Sequence, residues 1–371
     1  MNTLTDYLYA KAAQNHIPLG GTFELSPVCN FRCKMCYVRK TPAQMDAEGK
    51  RLITADEWLE LAKKCKDAGM LYLLLTGGEP FLYPGFKELY IQLHKMGFVI
   101  SINSNGTMID EQTVAWLKDY APSRINITLY GASPETYGRI CGNPDGYHRA
   151  IKAIEMLLEA KIPVVMNSSM IPENGGDLEQ IVKIGHGYGI NTRVATYMFP
   201  PVRREAEQTD SRFTPEESAA LFMRHVRCAS SNEAYRDWLE RKSKIGAEDS
   251  ADDWGASLEP DFMKCRAGRS SFWVSWDGVM TACGMVSFPR IEHPFEDDFA
   301  ACWKRLNEAV LTTPVMSGCK GCPRKELCHP CVAMMVAETG DANQKAPYLC
   351  RAARCIQNAI HTELERINNE N

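Results

Sequence analysis

The sequence predicts an α/β fold: a partial (β/α)6 barrel, TIM-like in plan, with a cysteine-rich domain after it. Three observations carry this reading. Strand and helix signals alternate in steady order between residues 20 and 200, and such alternation implies a parallel sheet with right-handed crossovers. The strand signals are short apolar runs of the length expected for buried strands. Beyond residue 260 the composition turns cysteine-dense, a separate regime.

The strands are expected at Thr22–Ser26, Leu71–Leu75, Val99–Asn103, Ile125–Tyr130, Pro163–Ser168 and Asn191–Tyr197. Helical segments fall between them, near 55–69, 84–96, 111–120, 146–160 and 177–188. The first opens with Thr54 and Glu57 spaced as a capping box, ahead of an apolar-periodic run. After the fourth strand, Ser133-Pro134-Glu135 places a serine cap before proline at the first helical position. From 202 to 255 the chain becomes charged and helical, with a capped start at Thr214-Pro215-Glu216-Glu217, a polar run Arg236–Lys244 and a turn or loop at Ser250–Trp254. The expected organisation is therefore a barrel over 1–201, a helical bridge over 202–255 and a cysteine-rich domain over 256–371.

At 371 residues, 45% hydrophobic and 24% charged, the chain has the composition of an ordinary folded protein. No run of eighteen apolar residues predicts a membrane span, and the start Met-Asn-Thr-Leu-Thr-Asp-Tyr lacks the basic and apolar regions of a signal peptide. A net charge of −4 with mixed signs leaves no basic footprint for nucleic acid. Fifteen cysteines without an export signal predict metal or redox work in a reducing cytoplasm rather than disulfides.

Cys29, Cys33 and Cys36 are spaced C-x3-C-x2-C. A 4Fe–4S cube takes four ligands, normally thiolates, so three cysteines hold three irons and leave one position open, as catalytic metal sites do. Thr76-Gly77-Gly78-Glu79-Pro80 follows the second strand; paired glycines permit close backbone approach, and Glu79 offers a carboxylate to an amino group. In a barrel the active site gathers at the C-terminal strand ends, and both motifs fall there. The triplet alone also fits reduced buried thiols or structural zinc. Zinc wants four protein ligands, and the closest further candidate upstream is His16.

Together the two motifs resemble the radical S-adenosylmethionine (SAM) superfamily, whose signature is C-x3-C-x-aromatic-C followed by G-G-E-P. Met35 stands in the aromatic slot here, and Tyr37 follows the third cysteine. The resemblance implies that the open iron chelates the methionine part of SAM. It implies further that Gly77, Gly78, Glu79 and Pro80 cradle the amino group, and that Ser104, Asn105 and Thr128 lie near the ribose. Arg139 is a partner for the SAM carboxylate or, equally, a solvated helix-surface arginine. Ser168 and Tyr197 point to the same face, as rim or core.

The later cysteines run Cys265-x12-Gly278-x4-Cys283, then Cys319-x2-Cys322-x5-Cys328-x2-Cys331, then Cys350. This resembles the seven-cysteine SPASM extension of radical SAM enzymes that modify peptides and proteins, with two residues rather than three between Cys328 and Cys331. The resemblance implies two auxiliary clusters, hence three 4Fe–4S clusters in all. Cys265, Cys283 and Cys331 would hold the first auxiliary cluster; Cys319, Cys322, Cys328 and Cys350 would hold the second. The first is then one ligand short, open to a substrate thiolate or filled by Cys302 or Cys355. Read without the resemblance, C-x2-C-x5-C-x2-C also suits one zinc ion. The other cysteines, Cys65, Cys141 and Cys228 among them, read as structural.

Asp277 is the one acid–base candidate, although Trp276-Asp277-Gly278 reads equally as a turn. Phe272, Trp273 and Trp276 line a substrate channel or belong to the core. The expected function is radical modification of a peptide or protein: hydrogen abstraction, then thioether or other crosslink formation, oxidation or epimerisation. The alternative is an oxidoreductase or carbon–carbon-forming enzyme acting on a small molecule. Expected partners are the substrate and a flavodoxin- or ferredoxin-type electron donor. With 28 residues ahead of Cys29, leader recognition is expected to be separate or absent.

Overall fold

The computed structural model describes residues 3–200, 211–245, 263, 265–315 and 317–370. Helix α1 (Leu4–Gln14) leads into β1 (Gly20–Glu24), and α2 (Pro42–Ala47) and α3 (Ala55–Asp67) precede β2 (Tyr72–Thr76). Then follow α4 (Phe86–Lys95), β3 (Val99–Ser104), α5 (Glu111–Asp119), β4 (Arg124–Thr128), α6 (Pro134–Cys141), α7 (Gly146–Glu159), β5 (Val164–Ser169), α8 (Leu178–Gly187) and β6 (Asn191–Ala195). The six expected strands form within about two residues of their anticipated bounds, and each pairs in parallel with the next.

Strand alternation sorts the side chains into two layers. Phe23, Leu75, Ile102, Ile125 and Val164 stand in register across β1 to β5 and are buried under the helices. Residues of the opposite parity, among them Asn103, Thr128, Asn167 and Arg193, turn to the barrel interior and line its cavity. The helices seal the outer layer. In α3 the Thr54 side chain accepts from the Glu57 N–H while Glu57 accepts from the Thr54 N–H, which fixes the first turn. Trp58, Leu61, Ala62 and Cys65 then fall on one face and are fully buried. Burying Leu61 stabilises by roughly 1.5–3 kcal/mol.

The sheet continues past the expected six strands. β7 (Ser271–Val274) pairs in parallel with β1, and β8 (Met280–Thr281) and β9 (Arg290–Ile291) extend the sheet antiparallel. The order is β6-β5-β4-β3-β2-β1-β7-β8-β9, so a segment anticipated in the cysteine-rich region adds a seventh parallel strand. Phe272 on β7 is buried against Phe299 and Trp303 and is therefore core, not channel wall. Helix α1 was not anticipated, although Thr3 and Asp6 form a full capping box. Its Tyr9 stacks on Tyr72 at the start of β2, and Arg266 lies 3.9 Å from the Tyr9 ring centroid.

Of the expected bridge, α9 (Pro215–Ala229, capped by Thr214) and α10 (Asn232–Lys242) are present; 202–210 and 246–255, including the turn at Ser250–Trp254, lie outside the described residues. α11 (Phe299–Thr312), α12 (Lys325–Cys328), α13 (Val332–Thr339) and α14 (Pro347–Asn369) complete the chain. α9, α10 and α14 share a small core of Met223, Leu239 and Ile356 with Leu327. Among the described residues no helix is long and apolar enough to cross a membrane.

One ion pair ties this region to the barrel rim. Arg212 Nη1 donates to Glu338 Oε1 at 2.6 Å, and the Tyr197 hydroxyl donates to the same oxygen at 2.8 Å. The Glu338 side chain is only 6% exposed, and the Arg212 guanidinium also lies over the Tyr348 ring. Glu338→Ala removes a largely buried carboxylate that accepts from both Arg212 and Tyr197, so a loss of stability is expected in urea unfolding. Glu338→Gln, which still accepts from Tyr197, is expected to lose less.

Candidate functional site

A cavity of about 520 Å³ opens at the C-terminal ends of the strands. Cys29, Cys33 and Cys36 line it from the loop after β1, Thr76, Gly77 and Gly78 from β2, and Asn103, Ser104 and Asn105 from β3. Thr128 and Tyr130 come from β4, Asn167, Ser168 and Ser169 from β5, and Arg193, Tyr197, Met198 and Phe199 from β6 and its continuation. The structure thus brings the two sequence motifs to one void.

The cysteine loop is held by its backbone. Arg32 N–H donates to the Cys141 carbonyl at 2.9 Å, Lys34 N–H to the Ile140 carbonyl at 3.1 Å and Lys40 N–H to the Pro27 carbonyl at 3.1 Å. The paired glycines serve this lacing. Gly78 N–H donates to the Ser26 carbonyl at 2.6 Å and Glu79 N–H to the Val28 carbonyl at 3.0 Å. A Cβ on Gly77 would stand 2.4 Å from Ser26 O, and one on Gly78 2.3 Å from Val28 O. Close approach is indeed what the glycines provide, and the surface approached is the backbone leading into Cys29.

Glu79 and Pro80 do not line the cavity. Glu79 is fully buried and its carboxylate accepts from Ser104 Oγ at 2.8 Å, Asn105 N–H at 2.8 Å and Phe81 N–H at 3.3 Å. It therefore braces the end of β3 against the glycine turn, at the residue expected to meet an amino group. Burial pushes this carboxyl up from its ordinary 4.5 to about 7, against the opposing pull of the Asn105, Ser104 and Phe81 donors. With its folded value raised, the native state holds the proton more tightly than the unfolded chain between those values. Stability is then expected to fall as pH rises from 4.5 through about 7, by on the order of 3 kcal/mol. Urea unfolding at pH 5 and pH 8 checks this: Glu79→Gln should flatten the difference, and an unchanged slope would refute the assignment.

Arg139 is also absent from the cavity wall. Its guanidinium donates to Thr136 Oγ1 at 3.1 Å and to the Glu173 carbonyl at 2.9 Å. Ser104 and Asn105 line the cavity. The Asn105 side-chain amide donates to Asn30 Oδ1 at 2.9 Å and approaches Cys29 Sγ at 3.7 Å, while its own oxygen accepts from the Thr107 N–H and hydroxyl. Asp277 sits in a turn, accepts from Ser275 Oγ at 2.5 Å and pairs loosely with Lys50. It lines a separate cavity of about 440 Å³ with Trp276, Lys40 and Arg290, outside the cavity of the cysteine triplet.

Burial pushes the Cys29 thiol up to about 12, and Cys33 rises through a hydrogen bond with Cys141 and through burial. Metal-free thiols here stay protonated; coordination requires the thiolate and reverses that shift. Among the described residues no three His, Cys, Asp or Glu side chains converge closely enough to hold one ion. A cube asks instead for thiolates at the edge of a void, one to each iron, and Cys29, Cys33 and Cys36 all line the cavity. Cys319, Cys322, Cys328 and Cys350 likewise surround a void of about 390 Å³ together with Arg324, Lys325, Lys345 and Arg354. Cys265 is exposed, Cys283 and Cys331 are half-buried, and the nearby Cys265 raises the Cys331 thiol further after burial and opposing backbone donors. Cys302 is enclosed under α11 and Cys355 packs beside the α9–α14 core.

Sequence reading missed Asn103, Asn167, Ser169, Arg193, Met198 and Phe199 as cavity residues. The signal was present for the first four: polar side chains at alternate positions of otherwise apolar strands mark the interior-facing parity.

Residues 23–184 match the radical SAM superfamily model. The chain is 23% identical over 348 residues to an AdoMet-dependent heme synthase of Methanosarcina barkeri, spanning 91% of this chain and 97% of that protein. It is 24% identical to the sporulation killing factor maturation protein SkfB of Bacillus subtilis, over 77% of this chain and 65% of that one. Among solved structures, Streptococcus suis SuiB bound to precursor peptide SuiA superposes with a TM-score of 0.65 at 16% identity, over 93% of this chain and 80% of that one.

Proposed function

We propose that the chain is a radical SAM enzyme, as the match of residues 23–184 to that superfamily supports, and that it modifies a peptide or protein. The observation that carries the reading is the convergence of Cys29, Cys33 and Cys36 with the Gly77–Gly78 turn and the ends of β3 to β6 on one cavity. In this proposal the three thiolates hold three irons of a 4Fe–4S cluster and the fourth takes the amino and carboxylate groups of SAM. Bound there, the cluster supplies the electron that splits SAM into methionine and a 5′-deoxyadenosyl radical.

The chain's own residues position and shield. The glycine turn and the Glu79 brace fix the cysteine loop against β3, and the Asn105 amide near Cys29 Sγ offers a hydrogen bond to a ligand sulfur. Ser104, Asn105 and Thr128 stand beside the SAM ribose, and Tyr130, Met198 and Phe199 supply apolar wall that excludes water. Two auxiliary clusters fit the later cysteines, the second in the four-cysteine void and the first on Cys265, Cys283 and Cys331. A flavodoxin- or ferredoxin-type donor would deliver the electrons. SkfB, a maturation protein, and SuiB, solved with a precursor peptide, support a peptide substrate. A second reading, a small-molecule substrate, is favoured by the heme synthase alignment, which runs over 97% of that relative.

Iron, acid-labile sulfide and zinc per chain after anaerobic reconstitution, with 5′-deoxyadenosine formation from SAM, test the proposal. About twelve irons, three cubes' worth, and SAM cleavage are expected. About four irons with bound zinc would keep the radical chemistry and remove the auxiliary clusters; no cleavage at any iron content would sink the reading.

A further inference from the structure

Arg193 carries the only formal charge among the described residues that line the reaction cavity. It stands in register with Asn167 on β5, which is in register with Thr128 on β4, so the guanidinium borders one uncharged hydrogen-bonding side chain with a second beyond it. It makes no ion pair or hydrogen bond with any described residue. Arg124, on β4 below this row, lies close enough for the Arg193 charge to lower its pKa, after burial. Arg124 does not itself line the cavity, and among the described residues no carboxylate lines it. Arg193 is exposed at the open side of the cavity, where a guanidinium attracts an anion and suits a carboxylate through a two-bond fork.

We infer that Arg193 binds a carboxylate of the substrate, from a peptide side chain, a peptide C-terminus or a small organic acid. The inference rests on the reading above in one respect: it assigns SAM's own carboxylate to the iron held by the loop after β1. In the strand order β6-β5-β4-β3-β2-β1, Arg193 lies on the strand farthest from that loop, so an anion it holds sits across the cavity from the iron. The second reactant has to occupy that side.

Anaerobic calorimetry of the reconstituted protein, with and without SAM, tests this with four probes: N-acetyl-Ala-Glu-Ala-amide, its Gln counterpart, N-acetyl-Ala-Ala-Ala with a free C-terminus, and glutarate. At least one carboxylate probe is expected to bind about tenfold or more tighter than the Gln peptide, the scale of one charge-assisted pair. Whichever probe leads identifies the source of the carboxylate. R193M should erase the preference, R193K should keep part of it, and SAM affinity should stay within about twofold in both; thermal midpoints establish that both variants fold. Equal binding of the Gln peptide, no binding of any probe at millimolar concentration, or a preference that survives R193M overturns the inference. So does a tenfold loss of SAM affinity in R193M, which would give Arg193 to SAM. Failure of the radical SAM reading shows separately, as absent 5′-deoxyadenosine, because carboxylate preference can be read without SAM.

Discussion

A chain with Cys29, Cys33 and Cys36 all replaced by alanine is expected to fold and to form no 5′-deoxyadenosine. The loss should be at least about a thousandfold, equivalent to roughly 4 kcal/mol of barrier. Folding should survive because the loop is held by backbone groups: the bonds to the Cys141, Ile140 and Pro27 carbonyls do not involve the thiols. The side chains themselves are half-buried at the cavity wall; the Cys36 and Cys29 sulfurs accept 3.3–3.4 Å contacts from Arg39 and Phe31 N–H, and Cys33 hydrogen-bonds with Cys141. Iron should fall by about four per chain, while the later cysteines keep theirs. Unchanged iron, or turnover persisting in the triple variant, would remove the assignment of the triplet.

The barrel was legible because the strands repeat one signal. Apolar residues at alternate positions place Phe23, Leu75, Ile102, Ile125 and Val164 on one face, and capped helices such as the one starting after Thr54 mark the crossovers. The cysteine triplet and the glycine turn were legible for a different reason, since both follow strand ends and so land on the same face of the sheet. β7 was not legible. Its four residues, Ser271–Val274, join β1 across more than two hundred positions of sequence, and short apolar runs carry no record of the strand they will pair with.

The individual contacts inside the site were the least legible. Glu79 and Arg139 are charged residues beside a predicted cavity, and sequence assigns such groups to the ligand by default. Glu79 instead meets two donors at the end of β3 and one in its own turn after β2, and Arg139 finds a carbonyl in the segment before α8. These partners depend on where neighbouring crossovers end, which spacing does not encode. Arg193 was missed for the converse reason: on a strand, parity alone separates an interior side chain from a surface one. β6 has the fewest buried positions of the six strands, so its parity was the weakest signal.

Alanine at Gly78 is expected to cost about 3–5 kcal/mol of stability and to disable the site together. The added Cβ would meet Val28 O at 2.3 Å, Val28 C at 2.6 Å and Pro27 O at 2.8 Å. All three are backbone atoms, so no rotamer change relieves the contact, and the strand-end segments must separate. Separation breaks the Gly78 N–H bond to Ser26 and the Glu79 N–H bond to Val28; two buried amides left unpaired cost roughly 1–3 kcal/mol each, and residual overpacking adds to this. Cys29 follows Val28 directly, so the displacement reaches the cysteine loop, and iron at the triplet and SAM cleavage should both fall. Gly187→Ala is the control. Gly187 ends α8 with nothing within 4 Å of the position its Cβ would take, and alanine there is expected to be neutral or stabilising by up to about 1 kcal/mol. Urea unfolding separates the two: equal stability of both variants would show that the glycine turn and the Cys29 loop do not pack as described, because contact with backbone is the only physical difference that sets Gly78 apart.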